Sequence, residues 1–210
     1  DRELWDELLQ VVIPKGRNIW AFADDDSEKL NEVGRSFEFF VLPENNEANV
    51  KKAMKDGNFF AASKYYKTTD GVGDFDGDGN VPLVTGIKVD QKANTITVAT
   101  DPTRDCRVIE WIADGKVIAT GNTIDLNDYE KDLGCYIRFQ MKGSGGVTYS
   151  QPFELQYNGR IDKPVPSWAL WVFKTEAGQK FMKFYHSHSF ALGALIAEKI
   201  RILIEDNIKK

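Results

Sequence analysis

The spacing of apolar residues divides the chain into three stretches. In the first, Leu4, Trp5, Leu8, Leu9 and Val12 recur at three- and four-residue intervals, which predicts an amphipathic helix stopping at Gly16. Asn18 to Ala23 is short and apolar enough for a buried strand, and it ends at Asp24, Asp25 and Asp26. Phe37 to Leu42 and Phe59 to Ser63 read as two more strands. Between them Asn45 or Asn46 caps a predicted helix through Ala53 and Met54 that closes at Gly57. Alternating helix and strand is the pattern of an α/β unit. From Gly86 to Tyr157 the period changes to two: IKV, TITV, VIEWIA, KVIA, CYIRFQM, VTYS and FELQY are separated by turn signals such as Asp114-Gly115 and GSGG at 143–146. Six or seven short strands in succession predict an antiparallel sandwich. In CYIRFQM, Cys135, Ile137, Phe139 and Met141 fall on one face, and Tyr136, Arg138 and Gln140 on the other. In the last stretch Leu192, Leu195, Ile196, Ile200, Leu203 and Ile204 follow helical spacing and predict a packed amphipathic helix.

Composition changes this picture only at its margins. Among 210 residues, 42% are hydrophobic and 28% charged, which is globular and excludes collagen-like or disordered classes. The 27 Lys and Arg against 32 Asp and Glu leave a net charge of −5 with no polybasic cluster, so nucleic acid is not an expected partner. The charge is unevenly distributed: residues 158–210 carry 9 basic and 5 acidic side chains, making that stretch +4 and the rest −9. The opening run DRELWDELLQ lacks the basic and apolar regions of a signal peptide, and Phe190 to Ile204 is interrupted by Glu198, Lys199 and Arg201, so no transmembrane segment is expected. A sandwich module suits an extracytoplasmic setting.

The segments ELWDELLQ, NIWAFADDDSE and GRSFEFFVLPENNEANVKKAMKDGNFFAAS, together residues 1 to about 65, resemble the C-terminal third of a PHP domain, the polymerase and histidinol phosphatase family of metal-dependent phosphoesterases. In that family the stretch is a helix, a strand ending in a D-x-H ligand motif, a Gly-Arg loop, and a helix leading to a strand. The resemblance implies a distorted (β/α)7 barrel with its metals at the C-terminal ends of the strands. It implies Asp26 as a ligand to zinc, manganese or iron, with Glu28 standing where the family has histidine. The family's H-x-H and its other ligands would precede residue 1, so the expected partner is the N-terminal half of the barrel or a second copy of the chain. An isolated partial barrel is expected to pack residues 1–65 on the sandwich, on the C-terminal helix or on another copy. On the residues alone, Asp24 to Asp26 also read as a solvated turn with a helix cap.

Three further groups bear on chemistry. Asp74, Asp76, Asp78 and Asn80 alternate with Phe and Gly like the opening of a calcium loop, although position twelve from Asp74 is Thr85 instead of a bidentate acid. A polar interdomain loop is the other reading. His186 and His188, the only histidines, form an H-x-H that reads as a metal pair or as packed surface residues. Cys106 and Cys135 allow one disulfide or a buried thiol pair, with Trp111 as the core aromatic, and Trp111, Tyr136, Tyr149 and Tyr157 offer either a sugar-binding face or core packing.

The resulting expectation is an α+β multidomain chain. It has a partial α/β segment like the end of a PHP barrel at 1–69, an Asp/Gly-rich linker at 70–82, an antiparallel immunoglobulin-like β-sandwich at 83–158, and a C-terminal segment with an amphipathic helix at 159–210. The expected function is that of the C-terminal portion of a PHP-like phosphoesterase, catalytically incomplete in these residues. The alternative is a non-catalytic sandwich that binds a glycan, a protein or a cell surface.

Overall fold

A computed structural model describes residues 2–67 and 74–156. Among them antiparallel sheet dominates and helices are few. Helix α1 (Arg2–Val12) forms where the apolar spacing places it. A 3-10 turn at Ile13–Lys15 ends it, and left-handed Gly16 returns its N–H to the Ile13 carbonyl. Asn18 to Ala23 is not a strand but extended, irregular chain. Its polar groups are met by side chains: Ala21 exchanges two hydrogen bonds of 2.9 Å with the Gln151 amide. β1 (Ser36–Phe40) is followed by α2 (Glu47–Asp56), in which the Asn46 side chain accepts from the Asn49 N–H at the N-cap. The chain then enters β2 (Phe59–Ser63), β3 (Tyr65–Lys67) and β4 (Asp74–Asp76).

The remaining strands are β5 (Val84–Asp90), β6 (Thr95–Thr100), β7 (Val108–Ala113), β8 (Lys116–Thr120), β9 (Thr123–Asp125), β10 (Tyr136–Gly143), β11 (Gly146–Tyr149) and β12 (Phe153–Glu154). The larger sheet runs β1-β2-β11-β10-β7-β8, with β12 also on β10, and a three-stranded sheet β5-β6-β9 faces it. β1 pairs with β2 antiparallel, with Phe39 opposite Phe60, and β2 pairs with β11 antiparallel, with Ala62 opposite Thr148. The first stretch therefore continues the sandwich's own sheet; its strands are antiparallel, and a parallel barrel is not shown among the described residues.

Two apolar clusters lie on opposite faces of that sheet. Trp111, Ile137, Phe139 and Met141 are fully buried against Ile96, Val98 and Ile124 of the smaller sheet, with the Trp111 and Phe139 rings edge to face at 5.4 Å. On the other face α1 sets Trp5, Leu9 and Ile13 against Tyr136 and Cys135. Cys135, expected beside Ile137, lies just before β10 and packs under α1, whereas Cys106 borders the inter-sheet core; no disulfide joins them.

Tyr136, Arg138 and Gln140 occupy the face that alternation makes polar, yet all three are buried, Tyr136 and Arg138 against α1. The burial is tolerable because each finds a partner: Asp6, on the packed side of α1, meets Arg138 and Tyr136, and Gln140 Nε2 donates to Glu110 Oε2 at 2.6 Å. Arg138 Nε and Nη2 donate to the two Asp6 carboxylate oxygens at 2.7 and 2.5 Å, and the Tyr136 hydroxyl donates to Asp6 Oδ1 at 2.7 Å. The Arg138 guanidinium also lies 5.0 Å from the centre of the Trp5 ring, whose Nε1–H donates to the Ile19 carbonyl.

Removing one member of a buried pair strands the other charge, so Asp6→Ala is expected to cost about 3–5 kcal/mol in urea unfolding. The apolar double variant Asp6→Leu with Arg138→Met should recover most of that loss. Burial, and then the Asp6 carboxylate, push the Tyr136 hydroxyl far above the usual tyrosine range. The native state keeps that proton while the unfolded chain releases it near pH 10, so the stabilisation is whole below about pH 10 and is lost as pH rises further. Unfolding curves at several alkaline pH values should therefore fall by about 1.4 kcal/mol per pH unit less steeply in Tyr136→Phe than in the parent.

Candidate functional site

The acidic cluster sits where irregular chain turns away from the sheet, and backbone hydrogen bonding explains its shape. The Ala23 N–H donates to Glu38 Oε1 on β1 at 2.7 Å. Asp25 accepts from the Gly34 and Ser36 N–H groups, both at 2.6 Å, which folds the segment from 26 to 33 into a closed excursion. Hydrogen bonds from the Ser36 and then the Gly34 backbone hold its carboxyl below the usual aspartate range. Asp26 takes a left-handed backbone conformation, φ 48°. Glu32 Oε2 accepts from the Glu28 and Lys29 N–H groups at 3.0 and 3.1 Å. Asp24, Asp26 and Glu28 are exposed. The structure thus brings the DDDSE segment against the Gly34-Arg35 loop.

Asp25 serves the backbone, which leaves exposed carboxylates and, among the described residues, no imidazole. No group of three or more Asp, Glu, His or Cys residues poised for a metal ion exists among the described residues. Those residues do not by themselves fit a zinc, manganese or iron centre. His186 and His188 lie outside the described residues.

The Asp/Gly-rich segment has a backbone explanation. Asp74 to Asp76 is extended in β4 and pairs with β3, and Asp78 Oδ1 accepts from the Asn80 N–H at 2.8 Å. The Gly77 N–H donates to the Lys64 carbonyl, and the Gly79 N–H to that of Gly145. A Cβ on Gly77 would lie 2.4 Å from the Gly145 carbonyl, so two main chains touch here and glycine alone fits. Val81 beyond it is fully buried, and the Pro82 carbonyl accepts from Thr148 Oγ1 at 2.6 Å. Exposed Asp76, Asp78 and Asn80 edge this turn.

The other candidates are taken up by packing. Trp111 and Tyr136 are fully buried, Arg2 lies over the half-buried Tyr149 ring at 5.8 Å, and Tyr157 lies outside the described residues. Burial, and then the Asp105 charge, push the Cys106 thiol up, away from a reactive thiolate.

Two features were not expected from sequence. One is the Asp6–Arg138–Tyr136 cluster, whose signal is an acid on the apolar stripe of a helix. The other is a cleft of about 320 Å³ lined by Trp20, Val41, Phe60, Ile87, Gln151 and Phe153, among others. Its wall depends on Gly57, left-handed at φ 74°, over which the Trp20 ring closes while Trp20 Nε1–H donates to the Lys55 carbonyl; a Cβ on Gly57 would lie 2.8 Å from that ring. No residue pattern marks the cleft, because its walls come from five separate stretches of chain.

No helix of the described residues is long and apolar enough to cross a membrane. No family model, curated protein or solved structure matches this chain.

Asp25→Ala should release the 26–33 excursion while leaving the sandwich intact. In hydrogen exchange, the Gly34 and Ser36 amides are expected to lose protection and those of β10 to keep it. In the parent the same two amides should lose protection in acid, because a lowered carboxyl gives stability above its unfolded value that is lost as pH falls through the folded one.

Proposed function

We propose that this chain is the C-terminal portion of a PHP-like metal-dependent phosphoesterase, with Asp26 and secondarily Glu28 belonging to a centre whose remaining ligands lie outside residues 2–67 and 74–156. The observation that carries this reading is the clamp of Asp25 on Gly34 and Ser36, which sets the acidic segment beside the Gly-Arg loop in the order the resemblance implies. The same region has apolar surface to spare. Leu30 is 90% exposed, Val33 60% and Phe22 44%, and the outer side of β1 pairs with no strand among the described residues, all of which suit a further layer of structure. The chemistry of that family is hydrolysis of phosphomonoesters or phosphodiesters. Here the contribution of this chain is to present carboxylate oxygens on a loop held by backbone hydrogen bonds.

The test is production of the complete gene product. Its content of zinc, manganese, iron and calcium should be measured, with hydrolysis of p-nitrophenyl phosphate and bis-p-nitrophenyl phosphate in added manganese. Bound transition metal, turnover, and a loss of about 100-fold or more in Asp26→Asn are expected. A metal-free, inactive full-length protein would sink the reading and leave the sandwich as a module that binds a glycan or a protein.

A further inference from the structure

The two sheets of the sandwich are unequal, and the mismatch leaves a core-type residue beside an opening. In β5, Ile87 stands opposite Val98, whose side chain is buried in the core, so Ile87 points the same way, toward the large sheet. It is nevertheless 38% exposed, because it meets the cleft of about 320 Å³ that Trp20, Phe60 and Phe153 also line. Neighbouring residues hold these walls in place. The Phe60 and Phe153 rings each lie 6.3 Å, centre to centre, from the buried Phe139 ring. Trp20 is fixed at two points: its Nε1–H donates to the Lys55 carbonyl at 3.0 Å, and its six-membered ring packs on Gly57 so closely that a Cβ there would lie 2.8 Å away. Aromatic walls anchored in this way keep the cleft open and preorganised.

The chemistry of the lining selects the ligand. Most of its polar groups are satisfied within the protein. The Gln151 amide is taken up at both ends by Ala21, and Ser150 Oγ accepts from the Phe139 N–H at 2.9 Å. The Asn58 N–H donates to the Ala53 carbonyl, and the Asn58 carbonyl accepts from the Val41 N–H, both at 2.9 Å; the Asn58 side chain is exposed and uncharged. Asp56, the one charged residue of the lining among the described residues, is ion-paired with Lys52. A charged ligand would give up hydration here without gaining a counter-ion, whereas an apolar one gains burial on every side. Size follows from the volume: an apolar cavity of about 150 Å³ takes one benzene ring, so about 320 Å³ takes two. We propose that this cleft binds a small, neutral, apolar compound of about two fused aromatic rings, held among Trp20, Phe60, Ile87 and Phe153. None of Asp24, Asp26 and Glu28 lines it, so it is separate from the metal centre proposed above.

The experiment is a titration of the full 210-residue chain, carrying ¹³C-labelled isoleucine and valine methyls, with naphthalene as the probe and NMR as the readout. The Ile87 and Val41 methyls are expected to shift saturably, and the buried Ile124 methyls of the inter-sheet core to stay in place. Two variants fill the cleft at exposed positions, Ile87→Trp and Val41→Trp. Each should weaken naphthalene by about tenfold or more, as should replacing the probe by 1-naphthoate or 1-naphthylmethylammonium, which carry a charge into the same space. The proposal is overturned if naphthalene gives no saturable shift, if Ile124 moves along with Ile87, or if both filled variants bind as the parent does. Tighter binding of either charged probe, or of methyl glucoside, would overturn it as well, since the ligand class would then be wrong. So would shifts that appear only on dilution, since the occupant would then be a second copy of the chain.

Discussion

The ion pair between Asp6 and Arg138 constrains the rest of this structure. A guanidinium in the middle of the sheet face is costly to bury without an anion, and the carboxylate paired with it among the described residues comes from the N-terminal helix. The helix must therefore lie across β10 at one height and one rotation, with Asp6 down and Trp5 over the guanidinium. Leu9, Ile13 and Cys135 then pack where that orientation puts them. Hydrophobic burial supplies most of the adhesion, but Leu and Ile would accept several positions on an apolar face. The forked hydrogen bonds and the Tyr136 hydroxyl accept one.

This constraint, with the β2–β11 pairing, makes residues 2–63 part of the sandwich sheet. The extended segment 18–23 runs from α1 toward β1, and Gln151 hydrogen-bonds both the N–H and the carbonyl of Ala21. Those bonds do locally what a strand ladder would do, which is why an apolar run that reads as a strand needs no strand partner. The acidic cluster inherits its position from the same arrangement. Ala23 is tied to Glu38 on β1, so Asp25 arrives within reach of Gly34 and Ser36 without any contact between the carboxylates themselves.

Local signals in the sequence were legible and pairings were not. α1, α2 with its Asn46 cap and Gly57 stop, β2, and the two-residue alternation of β10 all follow from nearest-neighbour chemistry. Alternation placed Ile137, Phe139 and Met141 in the core correctly. It misplaced Cys135, because the strand begins one residue later. It also could not reveal that Arg138, on the polar face, is buried: that depends on a helix 132 residues away in sequence. The alternating order of helix and strand suggested α/β, yet whether two strands run parallel or antiparallel is decided by where the intervening helix lies, and no short-range pattern encodes that. The glycines of DGDGN were visible, but their spacing fits two causes, cation coordination and main-chain contact, and only the approach of Gly77 to Gly145 identifies a physical reason for them.

The inequality of the two sheets connects these points. Strands β1 and β2 extend the large sheet beyond the width that β5, β6 and β9 can cover, so the inward face of the added strands needs another source of apolar surface. Part of it is met internally, where Phe60 approaches Phe139 at 6.3 Å; on the opposite face of the extension Phe22, Phe40 and Phe59 form a cluster of tilted rings at centre distances of 4.6 and 5.3 Å. The remainder appears as the cleft and the exposed Ile87 and Val89. Fusing an N-terminal segment into one sheet without widening its partner sheet thus creates an opening on the core side, and the opening sits beside β5. Any apolar molecule that settles there buries its own surface and covers Ile87 in the same step, so the site is favoured by both sides of the contact.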